Sequence, residues 1–498
     1  GHMRIIMSAI RMPDSLSLYF DTHNSPLNCR NSGQQYSYGT LPLFLTRMTA
    51  EWLDSSCGED SRRIEGKLST AVANLLVESA PDTLCHPGIF TGAGSALVGR
   101  MLACLADLGT IFIVYLIARR LYGEAVGLLA AALYALTAFS IQQAHFFTVD
   151  SAVCFFTTLT VYFSVRAGQS GSWLNFGMAG LATGFAAACK VSGVFVSPCV
   201  ALAAMWSWLE SQNSYDPEPS HSPPLLAVNG SLIIAGLLAL VAFRIGQPYA
   251  FEGPGFFDLK PSPEWFSRLS QIRAEQSGEI DLPWGRQWTD RAPILFPWIN
   301  MVVWGMGLPL GLAAWAGWAV VGYELFRGKK GKYAHLILWV WVTLMFLYLG
   351  SSWVKSMRYL LSLSPLLVIM AAYLLVRLCR ASAKHGRYVG LGIAVIVVVG
   401  TVLWTSAFFS IYLRTNTRVA ASRWIFDNVP TGVTVANEHF DWGLPLRVDG
   451  HDPFGGMYSG IEMQHYHEDT PEKRAQLYNW LDRADYIFIA SNRLYASI

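Results

Sequence analysis

The sequence has few charged residues for its length. Of its 498 residues only 14% are Asp, Glu, Lys or Arg, whereas 53% are hydrophobic. Soluble globular proteins contain about 25% charged residues, so this composition excludes an ordinary soluble protein and a disordered one. It predicts a polytopic α-helical membrane protein.

Three further features are missing from the sequence. The formal net charge is only +2 and no long basic run occurs, which excludes a typical nucleic-acid-binding protein. The eight cysteines show no metal-binding spacing. No internal repeat is visible, which disfavours a transporter built from inverted repeats.

Long stretches without charge recur along the chain, and a membrane helix needs about 20 apolar residues. Ten stretches approach this length: Leu97–Ala118, Ala125–Val149, Ser151–Val165, Ala167–Cys189, Val191–Leu209, Leu225–Phe243, Ile294–Tyr323, Ala334–Val354, Tyr359–Val376 and Tyr388–Leu413. The first is weak because it contains Arg100 and Asp107, and the third is short. The sequence therefore predicts about ten transmembrane helices within a domain at residues 97–413.

Positive charges cluster in the loops after the first, seventh and ninth predicted spans. These loops contain Arg119 and Arg120, then Arg327, Lys329, Lys330 and Lys332, then Arg377, Arg380, Lys384 and Arg387. Loops rich in Lys and Arg face the cytoplasm. The opposite side then receives residues 1–96, the His145–Asp150 turn, the 246–293 loop and residues 414–498.

Two regions are predicted outside the membrane domain. Residues 1–96 form an extracytoplasmic first-loop region with an interfacial helix over Tyr36–Leu53. Residues 414–498 have the pattern of a small soluble extracytoplasmic α/β domain. Its predicted elements are helices at Val419–Asn428 and Pro471–Ala484 and strands at Val433–Ala436 and Tyr486–Ala490.

An acid and a histidine flank a short turn between two predicted spans. Ionisable groups at membrane depth cost a few kcal/mol and usually have a function. Asp150, beside His145, is a candidate general base, metal ligand or orienting group. The alternative is that Asp150 caps the helix that starts there.

Several cations lie at the predicted outer ends of the spans. Lys190 joins two apolar stretches, and a cation at a membrane interface suits a lipid-linked phosphate. Lys355 and Arg358 are three residues apart, so on a helix they would share a face and clamp one phosphate. Arg244 is a fourth candidate. Each of these cations has the alternative role of an interfacial anchor.

Asp107 and Arg100 lie inside the first predicted span. They are on one face of a helix but about 10 Å apart along it, so they are too far apart to pair with each other. We expect each of them to pair with a residue on another helix.

Nine fragments follow one another in a familiar order: Ser25–Asn28, Tyr38–Leu43, Gly99-Arg100, Ala118–Gly123, His145–Asp150, Lys190–Gly193, Gln287-Trp288, Met357–Leu361 and Asn437–Trp442. Together they resemble the polyprenyl-phosphate-sugar-dependent glycosyltransferases of the GT-C class. The resemblance is specifically to glycosyltransferase family 39, with its dolichyl-phosphate-mannose–protein mannosyltransferase-like members in bacteria and archaea. It covers nearly the whole chain.

The resemblance implies a GT-C-like membrane fold and a transferase activity. A sugar, mannose or similar, would pass from a polyprenyl or dolichyl phosphate to a protein, lipid or glycan acceptor. The expected site residues are Asp150 and His145 for catalysis, Lys190, Lys355, Arg358 and Arg244 for the donor phosphate, and Gln287, Trp288 and Tyr38 for the acceptor or loop region.

The resemblance also implies a setting for this activity. We expect a multi-pass protein of a prokaryotic plasma membrane, surrounded by membrane lipids, with its active site facing outward. No metal ligands are assigned, although use of a divalent metal stays open, and no cofactor is expected beyond the lipid-linked donor.

One part of the family pattern is not found in this sequence. Family members have an Asp-Glu pair after a first membrane helix, and here Arg4–Met7 corresponds to the sequence just after that pair. We therefore expect residues 1–96 to be N-terminally truncated. The abrupt stop after Ser491–Tyr495 predicts that residues 414–498 are C-terminally truncated. Activity of this chain would then be missing or much reduced.

Two other functions are compatible with the sequence. A secondary transporter would use acids near the membrane midplane, and Asp107 is the clearest acid inside a predicted span. A non-catalytic membrane protein would use its outer regions to bind a glycan or another partner.

Overall fold

The computed structural model describes residues 2–34, 36–55, 90–92, 94–213, 225–280, 283–328, 332–381, 383–439, 442–464 and 469–490. Residues 56–89 of the predicted first-loop region lie outside the described residues, as do Phe440 and Asp441 of the family-like tail fragment. The chain divides into two compact units. Unit 1 comprises Gly1–Ile272 and Pro293–Thr405, and unit 2 comprises Arg273–Ala292 and Ser406–Ile498.

Unit 1 is built from α-helices, two of which continue into unit 2. They are His2–Ala9, Leu16–Phe20, Leu41–Asp54, Ser95–Tyr122, Glu124–Ala135, Ala138–Ala144, Asp150–Ser170, Trp173–Cys189, Ser197–Asn213, Leu225–Gly246, Pro263–Ser277, Leu295–Ile299, Leu308–Phe326, Lys332–Ser351, Ser364–Cys379 and Lys384–Phe409. Short 3-10 helices at Cys29–Ser32, Val191–Val196, Pro248–Ala250 and Met357–Leu363, and a π-helix at Asn300–Gly305, join them.

Five helical segments among the described residues are long and apolar enough to cross a membrane. They are Ser95–Tyr122, Val191–Gln212, Asn229–Gly246, Met357–Cys379 and the segment that starts at Lys384. A sixth is a pair of helices, Glu124–Ala135 and Ala138–Ala144, that meet at 59°. These helices indicate an integral membrane protein. The count of ten spans and the outward orientation stay predictions.

Two predicted spans are wrong as single helices, since Ala125–Val149 contains the bent pair Glu124–Ala135 and Ala138–Ala144 and Ile294–Tyr323 is also broken. The stretch Ile294–Tyr323 divides after Gly305, and a new helix, Leu308–Phe326, starts after Gly307. Gly307 has a φ of 79°, which a helix does not accommodate, and Pro309 lies in the first turn of the new helix. Hydropathy alone does not reveal this break, because the residues on both sides are equally apolar.

Two helices of unit 1 approach each other unusually closely through glycines. A Cβ on Gly180 would lie 2.0 Å from the carbonyl oxygen of Ala235, and a Cβ on Gly184 would lie 2.1 Å from that of Ala239. Small residues four apart allow such backbone contact between membrane helices. The contact fixes the helix Trp173–Cys189, and therefore the chain that follows it.

The predicted interfacial helix is shorter than expected at its start. It begins at Leu41 rather than Tyr36 and ends at Asp54. Its exposed face carries large apolar side chains, Leu45, Met48 and Trp52, at helical spacing. This face has the character expected of an interfacial helix, while residues 36–40 run separately as a non-helical segment.

Unit 2 contains a parallel sheet with strands β1 (Thr434–Glu438), β2 (Ser459–Met463) and β3 (Tyr486–Phe488). The strands lie in the order β2-β1-β3. Thr434 pairs with Ser459, and Val435 pairs with Tyr486. Unit 2 also contains the helices Thr417–Asn428 and Pro471–Arg483. Both helices and two strands were predicted from the sequence, whereas β2 was missed. The domain assignment at 414–498 stays a prediction.

Candidate active site

Three predicted site residues lie where helices of unit 1 begin or end. Asp150 is the first residue of its helix, and Lys190 directly follows the last residue of the next helix. Arg358 lies in the 3-10 helix Met357–Leu363, which leads into a further membrane helix. Since consecutive helices joined by a short turn are antiparallel, the start of one lies beside the end of the next.

Asp150 and Lys190 form an ion pair. The Nζ atom of Lys190 donates to Oδ1 of Asp150 over 3.1 Å. Asp150 is 5% exposed, and the side chain of Lys190 is 18% exposed. The helix cap is Val149, so Asp150 does not take the capping position considered as an alternative. In the first turn, its negative charge is also stabilised by the helix dipole.

Arg358 joins this pair through two tyrosines. Its Nη2 atom donates to the hydroxyl of Tyr38 over 2.7 Å and lies 3.5 Å from the hydroxyl of Tyr359. The Nζ atom of Lys190 lies 3.9 Å from the centre of the Tyr359 ring and 5.9 Å from that of Tyr38. The two aromatic rings therefore stabilise both cations side by side through cation–π contacts.

Residues 36–40 form a strap that crosses the helix ending at Cys189. The N–H of Gly39 donates to the carbonyl oxygen of Cys189 over 3.0 Å. A Cβ on Gly39 would lie 2.0 Å from another carbonyl oxygen of that helix, so this crossing requires glycine. The N–H of Thr40 donates to Oε1 of Gln247 over 2.6 Å. These contacts hold the strap over the two cations.

Burial raises the pKa of the Tyr38 phenol, and the nearby Asp150 carboxylate adds to this effect against the opposing charge of Arg358. Tyr38 therefore stays neutral and accepts the hydrogen bond from Arg358. The sequence assigned Tyr38 to the acceptor or loop region, and it did not single out Tyr359. The position of Tyr359 directly after Arg358 in a family-like fragment was the available signal.

Lys355 is close to Arg358 in sequence, but the shared helix face predicted for the two residues is wrong. Lys355 precedes the 3-10 helix and has no helical conformation. Its side chain is buried, and its Nζ donates to the carbonyl oxygen of Trp353 over 3.2 Å. Burial lowers the pKa of Lys355.

Arg244 donates its hydrogen bonds to nearby backbone carbonyl oxygens. It is 1% exposed, and its three nitrogens donate to the carbonyl oxygens of Pro248, Gly255 and Phe256 over 2.5 to 3.1 Å. Its guanidinium carbon also lies 5.0 Å from the centre of the Phe20 ring. This arrangement is typical of a structural arginine, and the predicted phosphate role gains no support from it.

The remaining predicted residues are His145, Gln287 and Trp288. His145 is exposed, and its Nδ1 is 2.7 Å from the carbonyl oxygen of Ile141 on the preceding helix. Gln287 and Trp288 belong to unit 2, where they end the 3-10 helix Pro283–Trp288. Their roles stay predictions.

Metal binding was left open by the sequence. Across the described ranges, no group of three or more His, Cys, Asp and Glu side chains is placed to hold a metal ion. The side chains of the Asp150 cluster supply one carboxylate, two cations and two phenols.

Residues 89–215 match the family model described as dolichyl-phosphate-mannose-protein mannosyltransferase. The match confirms, for this part of the chain, the resemblance drawn from the sequence. It includes Asp150 and Lys190 and ends before Arg358. No curated protein matches the sequence significantly.

Solved structures with a similar chain trace include two enzymes. The apo oligosaccharyltransferase of Archaeoglobus fulgidus has 15% identity and a TM-score of 0.44, with 86% of this chain and 57% of that chain covered. The present chain thus spans little more than half of that enzyme's length. Apo ArnT from Cupriavidus metallidurans has 14% identity and a TM-score of 0.45, with coverage of 97% and 86%. ArnT bound to undecaprenyl phosphate has 13% identity and the same TM-score, with coverage of 98% and 87%.

Proposed function

We propose that this protein is an integral-membrane glycosyltransferase that moves a sugar from a polyprenyl or dolichyl phosphate to an acceptor hydroxyl group. The observation that carries the proposal is the cluster in which one buried carboxylate, Asp150, lies with two cations, Lys190 and Arg358. The donor class is supported by the matched family model.

The charge of the cluster suits a phosphate leaving group. One carboxylate neutralises one of the two cations, so a net positive charge remains. A lipid phosphodiester carries one negative charge, and the phosphate it releases carries more. Because the cations interact more strongly with the product-like charge, they stabilise the transition state more than the bound donor. The planar guanidinium of Arg358 can bind two phosphate oxygens at once.

Asp150 is the proposed proton acceptor. A phosphate that binds Lys190 shares this cation with the Asp150 carboxylate. The acceptor oxygen attacks C1 of the sugar, and its proton passes to Asp150. The bond from C1 to the phosphate oxygen breaks, and the lipid phosphate leaves with the bonding electrons.

Other parts of the proposal rest on the family resemblance. The sugar is mannose or a similar hexose, the acceptor is a protein, lipid or glycan, and the reaction takes place on the outer face of a prokaryotic plasma membrane. Lys355 is proposed as an additional phosphate contact on the family resemblance alone. His145, Gln287 and Trp288 have no assigned step.

The test is donor turnover by the full chain in nanodiscs. Radiolabelled short-chain polyprenyl phosphate mannose is supplied, and release of polyprenyl phosphate is measured. We expect Asp150→Asn to lower the rate by about 10³-fold because it removes the general base. We expect Arg358→Ala to lower it by about 10²-fold because it removes a cation at the leaving group.

Asp107→Asn is the matched control for the loss of an acid. Asp107 lies in the helix Ser95–Tyr122 and accepts a hydrogen bond from Tyr134 over 3.1 Å, and an asparagine oxygen can accept the same bond. The control should keep its rate within about twofold. Equal losses in Asp150→Asn and Asp107→Asn would contradict the proposed site, and would favour a transporter that uses Asp107. Donor binding without release in the wild type would favour a non-catalytic binding protein.

A further inference from the structure

Two arginines lie where two helices of unit 1 end. Arg120 is in the last turn of the helix Ser95–Tyr122, and Arg166 is near the end of the helix Asp150–Ser170. Arg166 follows Asp150 by sixteen residues, which is about 24 Å along the helix. The two arginines are therefore at the end of unit 1 opposite to the Asp150 cluster.

The two helices lie side by side along this length. A Cβ on Gly109 would lie 2.6 Å from the ring of Phe155. Further along, the Nε of Arg120 donates to Oε1 of Gln169. Arg166 follows Phe155 by three turns and precedes Gln169 by about one turn, so these three residues share one face of their helix. Arg166 therefore lies on the face that meets the other helix.

Arg166 has no anionic partner in the part of the chain that the structure describes. Its Nε is buried and makes no hydrogen bond, and its guanidinium forms no ion pair with a described residue. The guanidinium carbon lies 5.8 Å from the centre of the Tyr162 ring. A charged side chain at membrane depth is costly and is usually paired. A buried donor in this state indicates a partner that the chain itself does not supply.

Arg120 also lacks a carboxylate partner among the described residues. Its side chain is exposed, and its Nε donates to a neutral amide. The neighbouring Arg119 takes the nearby acid, because its Nε lies 2.7 Å from Oε2 of Glu124. The other oxygen of Glu124 accepts from the hydroxyl of Tyr115 over 2.6 Å. Glu124 is thus occupied, and the charges of Arg120 and Arg166 are not compensated.

Another acid near the end of this helix belongs to a different face. Gly168 packs against the ring of Trp206, whose Nε1 donates to Oε2 of Glu210 over 2.5 Å. Residues two positions apart point about 200° away from each other around a helix. Trp206 and the Glu210 that it binds therefore lie on a different side of the helix from Arg166.

An apolar surface leads along the first helix to Arg120. Leu105, Leu108 and Phe112 are each more than half exposed, and their spacing places them on one face. Phe112 precedes Arg120 by eight residues, about 12 Å, which is less than half of the roughly 30 Å hydrocarbon core. Trp173, exposed at the start of the next helix, is of the type that marks a membrane interface. The arginines thus suit the headgroup level, and the apolar face suits acyl chains.

We infer that Arg120 and Arg166 bind the phosphate group of an anionic phospholipid, whose acyl chains pack on the face formed by Leu105, Leu108 and Phe112. A guanidinium can bind two phosphate oxygens at once, and basic sites between membrane helices bind lipid headgroups. A phospholipid matches both the charge and the apolar face, whereas a soluble phosphate matches only the charge. The inference is independent of the proposed function, since it concerns the other end of unit 1.

The test measures lipid binding to the full chain purified in detergent. Native mass spectrometry counts bound molecules of phosphatidylglycerol, or of phosphatidylcholine with the same acyl chains, at increasing lipid concentration. We expect phosphatidylglycerol to bind about tenfold more tightly, because nearby cations favour an anionic headgroup. Glycerol 3-phosphate, which has the phosphate without the acyl chains, should not displace it at equal concentration.

Variants locate the effect. Arg120→Gln and Arg166→Gln should each reduce the preference for phosphatidylglycerol by about threefold or more, and the double variant should abolish it. Arg380→Gln removes an exposed arginine that follows a different helix, Ser364–Cys379, and should leave the preference unchanged. Because Arg120 is exposed, Arg120→Gln decides if Arg166→Gln lowers the thermal unfolding temperature.

Three outcomes would overturn the inference. The first is equal binding of the two lipids, and the second is a preference that the double variant retains. The third is an equal loss in Arg380→Gln, since the preference would then reflect the total charge of the protein. Displacement of phosphatidylglycerol by an equal concentration of glycerol 3-phosphate would overturn the role of the acyl chains and assign the arginines to a soluble phosphate.

Discussion

Unit 1 buries a carboxylate near each end of one membrane helix, and the two sites are paired differently. The helix is Ser364–Cys379. Arg358 lies just before it, and Arg377 lies in its last turn, about 30 Å further along the chain. At one end the acid is Asp150, and at the other it is Glu324, which is 4% exposed.

The Glu324 cluster consists of Glu324, His335, Tyr122, Tyr373 and Arg377. Arg377 donates to Oε1 of Glu324, and Tyr373 donates to Oε2 over 2.7 Å. The Nε2 of His335 lies 3.4 Å from Oε2, and its Nδ1 lies 3.0 Å from the Tyr122 hydroxyl. Both carboxylate oxygens are thus engaged by groups from neighbouring helix ends. This cluster ties four helix ends together.

The Asp150 cluster has a different balance. Here two cations lie with one carboxylate, and the tyrosines contact the cations, whereas Tyr373 contacts the acid of the other cluster. A saturated acid suits a structural role, and surplus cations suit an anionic ligand. Burial of a charge alone therefore does not distinguish a structural role from a role in ligand binding.

The largest effect on stability is expected from a substitution in the Glu324 cluster. Arg377→Gln leaves the buried charge of Glu324 without its main cation, which should lower the free energy of unfolding by about 2 kcal/mol. This value is below that of a fully buried pair because the Arg377 side chain is 42% exposed. The measurement is thermal unfolding of the purified protein in detergent, with donor release measured below the transition.

Arg380→Gln is the control for this change, since Arg380 is an exposed cation one turn further on. It should leave the unfolding temperature unchanged. The comparison fails if Arg377→Gln leaves stability intact and abolishes donor release, because the Glu324 cluster would then take part in function.

A smaller effect, on the KM for the donor, is expected from a substitution in the Asp150 cluster. Tyr38→Phe removes the hydroxyl that accepts from Arg358 and keeps the ring beside Lys190. The guanidinium loses one fixed hydrogen bond, worth about 1 kcal/mol. We expect the KM for the donor to rise about fivefold with little change in unfolding temperature. Steady-state kinetics at varied donor concentration measure the KM, and thermal unfolding of the same variant measures its stability.

Tyr359→Phe provides a graded comparison, because its hydroxyl is 3.5 Å from Arg358 rather than 2.7 Å. Its effect on the KM should be smaller. A lower KM in Tyr38→Phe would reverse the interpretation, since Tyr38 would then compete with the phosphate for Arg358 instead of orienting it.

The sequence reveals charges in apolar surroundings, but not which of them meet. Asp150, Lys190 and Arg358 were all predicted as site residues because each interrupts or borders an apolar stretch. The ion pair joins residues 40 positions apart, and the bond from Arg358 to Tyr38 joins residues 320 apart. Periodicity identifies helices but does not say which ends are neighbours, so the cluster itself could not be predicted.

The predictions for the other charged residues in apolar stretches were confirmed only in part. Asp107 was predicted to pair with a different helix, and this is confirmed by its hydrogen bond from Tyr134. Arg100 is exposed, and its pairing stays a prediction. Glu324 was missed because it directly follows a predicted span, Ile294–Tyr323, and has the pattern of a loop residue. The break at Gly307 places it inside the helix Leu308–Phe326 instead.

The smallest expected effect concerns His145, the residue that proximity in sequence most strongly associates with Asp150. Its ring is exposed and lies 2.7 Å from the carbonyl oxygen of Ile141 on its own helix end, whereas Asp150 is buried against Lys190. Because the ring is held by the preceding turn and solvated, His145→Ala should change donor release by less than about twofold and the unfolding free energy by at most about 0.5 kcal/mol. His145→Gln keeps a polar side chain and serves as its control. If both variants lost a hundredfold in rate, His145 would be the proton acceptor. The Asp150–Lys190 pair would then hold helix ends together, as the Glu324 cluster does. The two clusters would no longer differ in role.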